Sequence, residues 1–367
     1  MNTPAPAPAP RPPQSAPPSP PPRAVLADVD TGMDDALALV FLARDPRIRL
    51  LAVTCVAGNT GVDQVVRNTL DVLHAAGAGS VPVARGAERP LINEPRDAHA
   101  FHGANGLGGL ELPPSPHAPS PLAAVELMHR TVEEAPEPVT LLALGPLTNV
   151  ALFLRAYPRT ARKLERIVFM GGSAGIGNAT SHAEFNAWQD PEALAIVIHS
   201  GIPTVMYGLD VFMQATLTPE QYLPLADADD DGARLVGAVL TAGGRRGLPA
   251  DDPAGPADVP AGPAAAPPAD LRVSAAAGLQ PVTLGDAGAA CLIAVPETVE
   301  LLRYPVRVEL TGHSRGQTLV DRRLQPGESE HHGDAGPVPV IEVAVGLDHR
   351  LMTSTFLETV LDPATAP

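Results

Sequence analysis

Short apolar runs, alternating with segments whose apolar residues recur every three or four positions, organise most of this chain. Ala24–Asp28, Arg49–Thr54, Val139–Leu144, Arg166–Met170 and Thr204–Tyr207 are runs of four to six residues rich in Val, Leu and Ile, the texture of strands buried on both faces. Four of them are followed by helical patterns at Asp34–Arg44, Gly61–Ala76, Leu147–Tyr157 and Asp190–Ser200. Strand followed by helix, repeated, predicts an α/β fold with a mostly parallel open sheet flanked by helices. Ligands of such sheets lie beyond the carboxyl ends of the strands, so the residues that follow each run carry the functional weight.

Two stretches break the alternation. Residues 1–23 are about half proline and contain no Leu, Ile, Val or Phe, so they are expected to form a solvated, extended tail without the apolar segment of a secretory signal. A second shift, from about 243 to 268, replaces periodicity with Pro, Ala, Gly and Asp and is expected to be a flexible insertion. The expected organisation is a tail (1–23), one domain (24–362) carrying that insertion, and a short tail (363–367). No internal repeat is visible, and no run reaches the roughly 18 apolar residues of a membrane span.

Composition narrows the function classes. The chain has 25 basic and 41 acidic residues, a formal charge of −16, and Lys163 is its one lysine, which argues against a phosphate-binding surface for nucleic acid. Aromatic residues are 3 % of the total, too few for stacking platforms. Cys55 and Cys291 offer neither a disulfide framework nor a metal-binding pair. A small-molecule enzyme of a reducing compartment, expected to be cytoplasmic, fits these features, with neither a nucleic acid nor a membrane as partner.

The first apolar run leads into Asp28-Val-Asp30-Thr-Gly-Met-Asp34-Asp35, four carboxylates in eight residues, with no basic residue between Arg23 and Arg44. Two carboxylates about 4 Å apart repel by about 1 kcal/mol in water and about 4 kcal/mol at an effective dielectric of 20. Crowding at a strand end therefore calls for protons or a cation, and a hard divalent ion such as Ca²⁺ or Mg²⁺ suits carboxylate oxygens. The alternative is that Asp34 caps the next helix and Asp35 favours its dipole. After Met170 comes a second group, Asn178, Glu184 and Asn186. Glu184 and Asn186, if extended, project to one face, where amide and carboxylate suit a polyhydroxylated ligand. Asp190-Pro191 reads as a helix cap and first turn, and Trp188 as packing.

These residues resemble the inosine-uridine preferring nucleoside hydrolase family. The resemblance runs through Asp28–Leu39, Val56-Ala-Gly-Asn59, Phe101-His102-Gly-Ala-Asn-Gly-Leu-Gly108, Leu144-Gly-Pro-Leu-Thr-Asn149, Met170–Ala193 and Ser314–Arg323. It implies hydrolysis of the N-glycosidic bond of a ribonucleoside to free base and ribose, through an oxocarbenium-like transition state. It also implies a tightly held Ca²⁺ with Asp30, Asp35, the Leu144 carbonyl and Asp286 as ligands, and Asp30 as the general base that activates water. Asp34, Asn178, Glu184 and Asn186 would grip the ribose, with Asn59 and Met170 lining the pocket and Asp286 also contacting substrate. His102 would act at the departing base. Relatives are usually homo-oligomers, so a dimer or tetramer is expected.

One departure bears on activity. Where relatives commonly carry a histidine before the late metal-binding aspartate, this chain has Gly285-Asp286. The resemblance thus leaves His102 either as the donor to the leaving base or as a structural hydrogen-bonding residue, and, where protonation of the base limits turnover, Gly285→His is expected to speed nucleoside hydrolysis with little change on p-nitrophenyl riboside. Two other readings stand beside hydrolysis. A ribose- or nucleoside-binding protein would keep the grip without turnover. A phosphatase would use Asp28-Val-Asp30-Thr31 with Asp28 as nucleophile and Asp30 as acid/base. Arg315 and Arg322 read as packing and ion-pairing residues, and His331-His332 as a solvated loop.

Overall fold

In a computed structural model, residues 21–245, 278–325, 327 and 337–361 are described. The chain runs β1 (Arg23–Val29), α1 (Met33–Arg44), β2 (Ile48–Cys55), α2 (Val62–Ala75), β3 (Val83–Arg85), α3 (His99–His102), α4 (Ala124–Glu134), β4 (Val139–Ala143), α5 (Thr148–Ala156), α6 (Pro158–Ala161), β5 (Leu164–Met170), α7 (Phe185–Gln189), α8 (Pro191–Ile198) and β6 (Thr204–Tyr207). It continues through α9 (Leu209–Phe212), β7 (Thr216–Leu217), α10 (Pro219–Ala226), α11 (Asp231–Arg245), β8 (Val282–Thr283), α12 (Asp286–Ala294), β9 (Val299–Val308), β10 (Thr318–Val320), β11 (Val340–Leu347) and a closing helix, His349–Leu361.

A nine-stranded sheet orders these strands β10-β9-β11-β6-β5-β4-β1-β2-β3. The seven from β11 to β3 are parallel, and β9 and β10 add an antiparallel edge. The mostly parallel sheet expected from the alternation is therefore present. Successive β1 side chains enter opposite cores, Val25, Ala27 and Val29 on one face and Ala24 and Leu26 on the other, which is why this strand reads as a continuous apolar run. No helix of the described residues is long and apolar enough to cross a membrane.

Topology places the site. The chain builds outward from β1 through β2 to β3, then returns to lay β4 along the opposite side of β1. The order of strands reverses there, and the connections after β1 and β4 diverge to opposite faces, opening a crevice at the carboxyl ends.

Several boundaries shift. Arg23, expected in the tail, is the first residue of β1, paired with Ile48. The expected insertion starts too early, because Gly243–Arg245 complete α11; its remainder, like residues 1–20, His331-His332 and 362–367, lies outside the described residues. Glu184 and Asn186 do not lie on a common strand: Glu184 caps α7 and Asn186 is within it. That segment offers its own capping carboxylate to free backbone N–H groups, which favours a helical turn over an extended strand.

Candidate functional site

The turn after β1 is built by backbone donors. Gly32 N–H donates to Asp35 Oδ2 at 2.9 Å and Asp30 N–H to Asp35 Oδ1 at 3.2 Å, so Asp35 reaches back as the capping carboxylate of α1. Asn59 Nδ2 adds a third bond to Asp35 Oδ2 at 3.2 Å, and the Asn59 N–H donates to Asp30 Oδ2 at 2.8 Å. The turn after β2 thus holds the turn after β1. A glycine is required at position 32: a Cβ there would meet His102 Nδ1 at 2.6 Å and Asn59 Nδ2 at 2.7 Å.

Asp286 opens α12 and closes the cluster from the far side of the sequence. Asp34, Asp35 and Asp286 carry oxygens that all lie within 4.8 Å of one another, a set able to hold a metal ion. This trio includes Asp34, which the sequence reading reserved for the sugar, in place of Asp30. Asp28 Oδ2, Asp34 Oδ1 and Asp286 Oδ1 are buried with no hydrogen-bond partner. Burial, then the charge of Asp34, pushes Asp35 up to about 7. Asp30 is raised by burial and by Asp35, and Asp286 by burial and by Asp34, Asp35 and Asp30. Among the described residues none of the cluster's acids forms an ion pair with Arg or Lys. Orphaned, mutually repelling oxygens without an internal counter-charge are the donor set of a hard cation.

The opposite rim comes from β4 and β5. The Leu144 N–H is held by Asp28 C=O at 2.8 Å, and its carbonyl accepts from Asn186 Nδ2 at 2.7 Å. Asn186 Nδ2 also donates to the Met170 carbonyl at 3.2 Å. Glu184 is 2 % exposed; its Oε1 accepts from Asn186 N–H, and its Oε2 from Gly172 N–H at 2.9 Å and Ala187 N–H at 3.1 Å. Burial raises Glu184 from its ordinary range, and those backbone donors offset part of the rise. Asn178 Oδ1 accepts from Phe185 N–H at 2.9 Å, so its side chain steadies the same rim.

These elements enclose a cavity of about 430 Å³ lined by Asp30, Asp34, Asn59, His102, Leu144, Met170, Asn178, Glu184, Asn186 and Asp286. Of the site residues that the family resemblance implied, only Asp35 is not on that wall. Met33, Leu37, Phe101, Phe185, Phe212, Met213, Val239 and Val282 complete the cavity with an apolar, partly aromatic surface. His102 stands at this boundary: its Nδ1 accepts from Met33 N–H at 3.2 Å and lies 3.9 Å from Asp34 Oδ1.

Three expectations change here. Gly285 has φ +57°, and a Cβ on it would lie 2.7 Å from Asp34 Cβ and 2.9 Å from Asp34 Oδ2. A histidine at this backbone position is strained and displaces an acid of the cluster, so the gain expected of Gly285→His does not follow. Asp28 is fully buried and off the cavity wall, its Oδ1 bonded by Thr54 Oγ1 at 2.6 Å and Asn149 Nδ2 at 2.8 Å, which removes the nucleophile of the phosphatase reading. Asp34 does not cap α1, whose N-cap is Gly32. Arg315 forms the expected ion pair, two 2.7 Å bonds to Glu192, and Arg322 donates to the Ala174 carbonyl. Asn68, buried and hydrogen-bonded beside the acid turn, went unmarked in the sequence, and Asn149, buried on Asp28 Oδ1, stood there only as the end of a matched block without a role; a polar pair Asn68-Thr69 on the otherwise apolar face of α2 was the available signal.

An open, mostly parallel α/β sheet with an acid-walled crevice at its reversal point defines a protein that binds a small polar ligand there. Over residues 25–353 the sequence matches the family described as inosine-uridine preferring nucleoside hydrolase, and the chain belongs to that family. The pyrimidine-specific ribonucleoside hydrolase RihA of Citrobacter koseri is 48 % identical over 196 residues, 53 % of this chain and 63 % of that protein. The non-specific ribonucleoside hydrolase RihC of Escherichia coli is 44 % identical over 211 residues, 58 % of this chain and 69 % of that protein. The matched part thus spans about three fifths of the RihA relative's length. Among solved structures, a plant nucleoside hydrolase superposes with a TM-score of 0.77 at 27 % identity, covering 95 % of this chain and all of that one.

Proposed function

We propose that this chain hydrolyses the N-glycosidic bond of ribonucleosides, releasing free base and ribose, with Ca²⁺ held at the acid turn. One observation carries the reading: a single cavity has carboxylates and amides at one end and apolar side chains at the other, the chemical division of a nucleoside. The names of the relatives point the same way.

Asp35, Asp286, Asp30 and the Leu144 carbonyl are the proposed ligands. Two of these four carry support from geometry alone, as members of the oxygen trio. When bound, a dication supplies positive charge against the acids and lowers the pKa of a water in contact with it. Asp30, raised by burial, is the proposed base, since a carboxylate shifted upward is a better proton acceptor near neutrality. Asp34, with its orphaned Oδ1, Asn59, Asn178, Glu184 and Asn186 are the proposed partners of the ribose hydroxyls. Hydrogen bonds to backbone hold Asn178, Glu184 and Asn186 in place before substrate arrives, and Asn59 is held by Asp35, which lowers the entropic barrier. The same carboxylates favour positive charge developing on the sugar ring as the base departs. His102, with Nδ1 held against the Met33 N–H, is the proposed proton donor to the base.

The test is base release from inosine, adenosine, uridine and cytidine, with Ca²⁺ and with chelator. Release that chelation abolishes is expected. Ribose binding without release from any nucleoside overturns hydrolysis in favour of a binding protein, and release indifferent to chelation overturns the metal.

A further inference from the structure

We propose that Asn68 is a positioning residue: its amide ties the acid turn to the His102 loop and so holds the imidazole at the boundary of the cavity. The inference rests on the reading of His102 given above. Asn68 lies on α2, is 3 % exposed and is off the cavity wall, so it acts only through its neighbours.

Residues 98–110 form a compact unit. Asn105 Oδ1 accepts from Leu107 N–H and Gly109 N–H, its Nδ2 donates to the Leu110 carbonyl, and Gly108 N–H donates to the His102 carbonyl at 2.7 Å. A loop so bonded to itself moves as a body, and its ties to neighbouring elements set where His102 stands. Ala98 N–H reaches the Asn59 carbonyl at 3.1 Å, and His99 Nε2 meets Thr60 Oγ1 at 3.2 Å. Asn68 provides the tie that also grips the acid turn: Nδ2 donates to the Asn105 carbonyl at 2.9 Å and to the Thr31 carbonyl at 3.0 Å.

Both amide protons are committed, and Asn68 Oδ1 accepts from Gln64 Nε2 at 2.8 Å, which fixes the orientation of the group. The next side chain repeats the grip, Thr69 Oγ1 lying 2.7 Å from Thr31 Oγ1. The loop comes close enough that a Cβ on Gly106, at φ +79°, would be 3.0 Å from Asn68 Nδ2. Two residues beyond Thr31, Met33 N–H meets His102 Nδ1. The two loops therefore touch at both ends of one short span, at Asn68 and at the imidazole. Losing the first contact leaves two carbonyls without their donor and frees the second to drift.

The experiment is a double-variant cycle, Asn68→Ala, His102→Ala and both, with kcat/KM on uridine and inosine and on p-nitrophenyl riboside, whose leaving group needs no proton. Asn68→Ala is expected to cost about tenfold on the nucleosides and less than about twofold on the nitrophenyl substrate, with no further loss in the His102→Ala background. Hydrogen exchange of residues 98–110 is expected to quicken in Asn68→Ala. Losses that multiply in the double variant, or an equal loss on both substrate types where His102→Ala is selective, overturn the proposal. Should His102→Ala itself lower both substrate types alike, the assignment of His102 to the leaving base fails, while the cycle still decides whether Asn68 acts through it. Asn68→Ser, which keeps one donor, is expected to fall between and takes the place of the alanine variant in the cycle if that variant does not fold.

Discussion

Stripping the proposed divalent cation should steepen the fall of this protein's stability with rising pH. In the metal-free fold Asp35 is pushed from 3.8 up to about 7, chiefly by burial and then by Asp34. That rise is about three units, and each unit corresponds to about 1.4 kcal/mol. Keeping this one carboxylate ionised in the fold thus costs about 4 kcal/mol above pH 7, a large part of the 5–15 kcal/mol typical of a domain. The sign follows from proton counts. Between pH 4 and 7, roughly, the folded chain keeps a proton that the unfolded chain has released, so stability falls as pH rises through that window and levels off above it.

A bound cation removes the reason for holding the proton. It adds about 2.7 kcal/mol at a hundredfold excess over its Kd, and its gain grows toward alkaline pH, where no proton competes. Asp28, also pushed up to about 7 by burial, contributes a downward slope of its own, so the difference between curves with and without calcium is the readout. Urea unfolding from about pH 5 to about pH 8, in chelator and in calcium, measures it. A metal-free protein equally stable at both ends of the range, or calcium that adds nothing at the alkaline end, would refute the reasoning.

Two further outcomes follow from local geometry. Gly285→His is expected to lower the melting temperature and to reduce turnover of nucleosides and of p-nitrophenyl riboside alike, because the φ of +57° and the contact with Asp34 cost about 1–3 kcal/mol and move a cluster acid; thermal melts and steady-state kinetics check it. Cys55 and Cys291 are fully buried and burial pushes both thiols up, so a thiol-specific reagent should label neither in the native state and both after denaturation.

The parallel strands were legible because burial on both faces leaves an unbroken apolar run, as in Val25–Ala27 and Leu141–Ala143. The antiparallel edge was not. In β9 buried Val299 and Val306 alternate irregularly with exposed Glu300, Leu302, Arg303 and Arg307, and an antiparallel strand with a solvated face has no such run to show. Helix α12, Asp286–Ala294, is buried on every side, so it carries no amphipathic period. In the site, the carboxylates stood out through their crowding, whereas Asn68 and Asn149 did not, since a single asparagine is common and its partners here are backbone carbonyls and a carboxylate far along the chain. Glu184 and Asn186 were found by chemistry but given the wrong backbone, because a two-residue spacing cannot separate a strand from a cap and the second turn position behind it.

The way the acids are held explains how one fold tolerates them. Asp35 spends its oxygens on three donors from the turn and from Asn59, and Glu184 spends its own on the start of α7 and on Gly172. Each of these carboxylates is thereby a structural cap, and Glu184 is a wall of the cavity as well, so the folding of α1 and α7 opposes their removal. Asp34 and Asp286 each keep an oxygen without a structural partner, as does Asp28 deeper in the fold, and Asp34 and Asp286 converge with Asp35. A buried polar atom without a partner is costly, and the fold retains Asp34 Oδ1 and Asp286 Oδ1 on residues that line the crevice. In the proposed function a cation and a polyhydroxylated ligand would meet those oxygens together, which would couple tight binding at this end to the chemistry proposed for it.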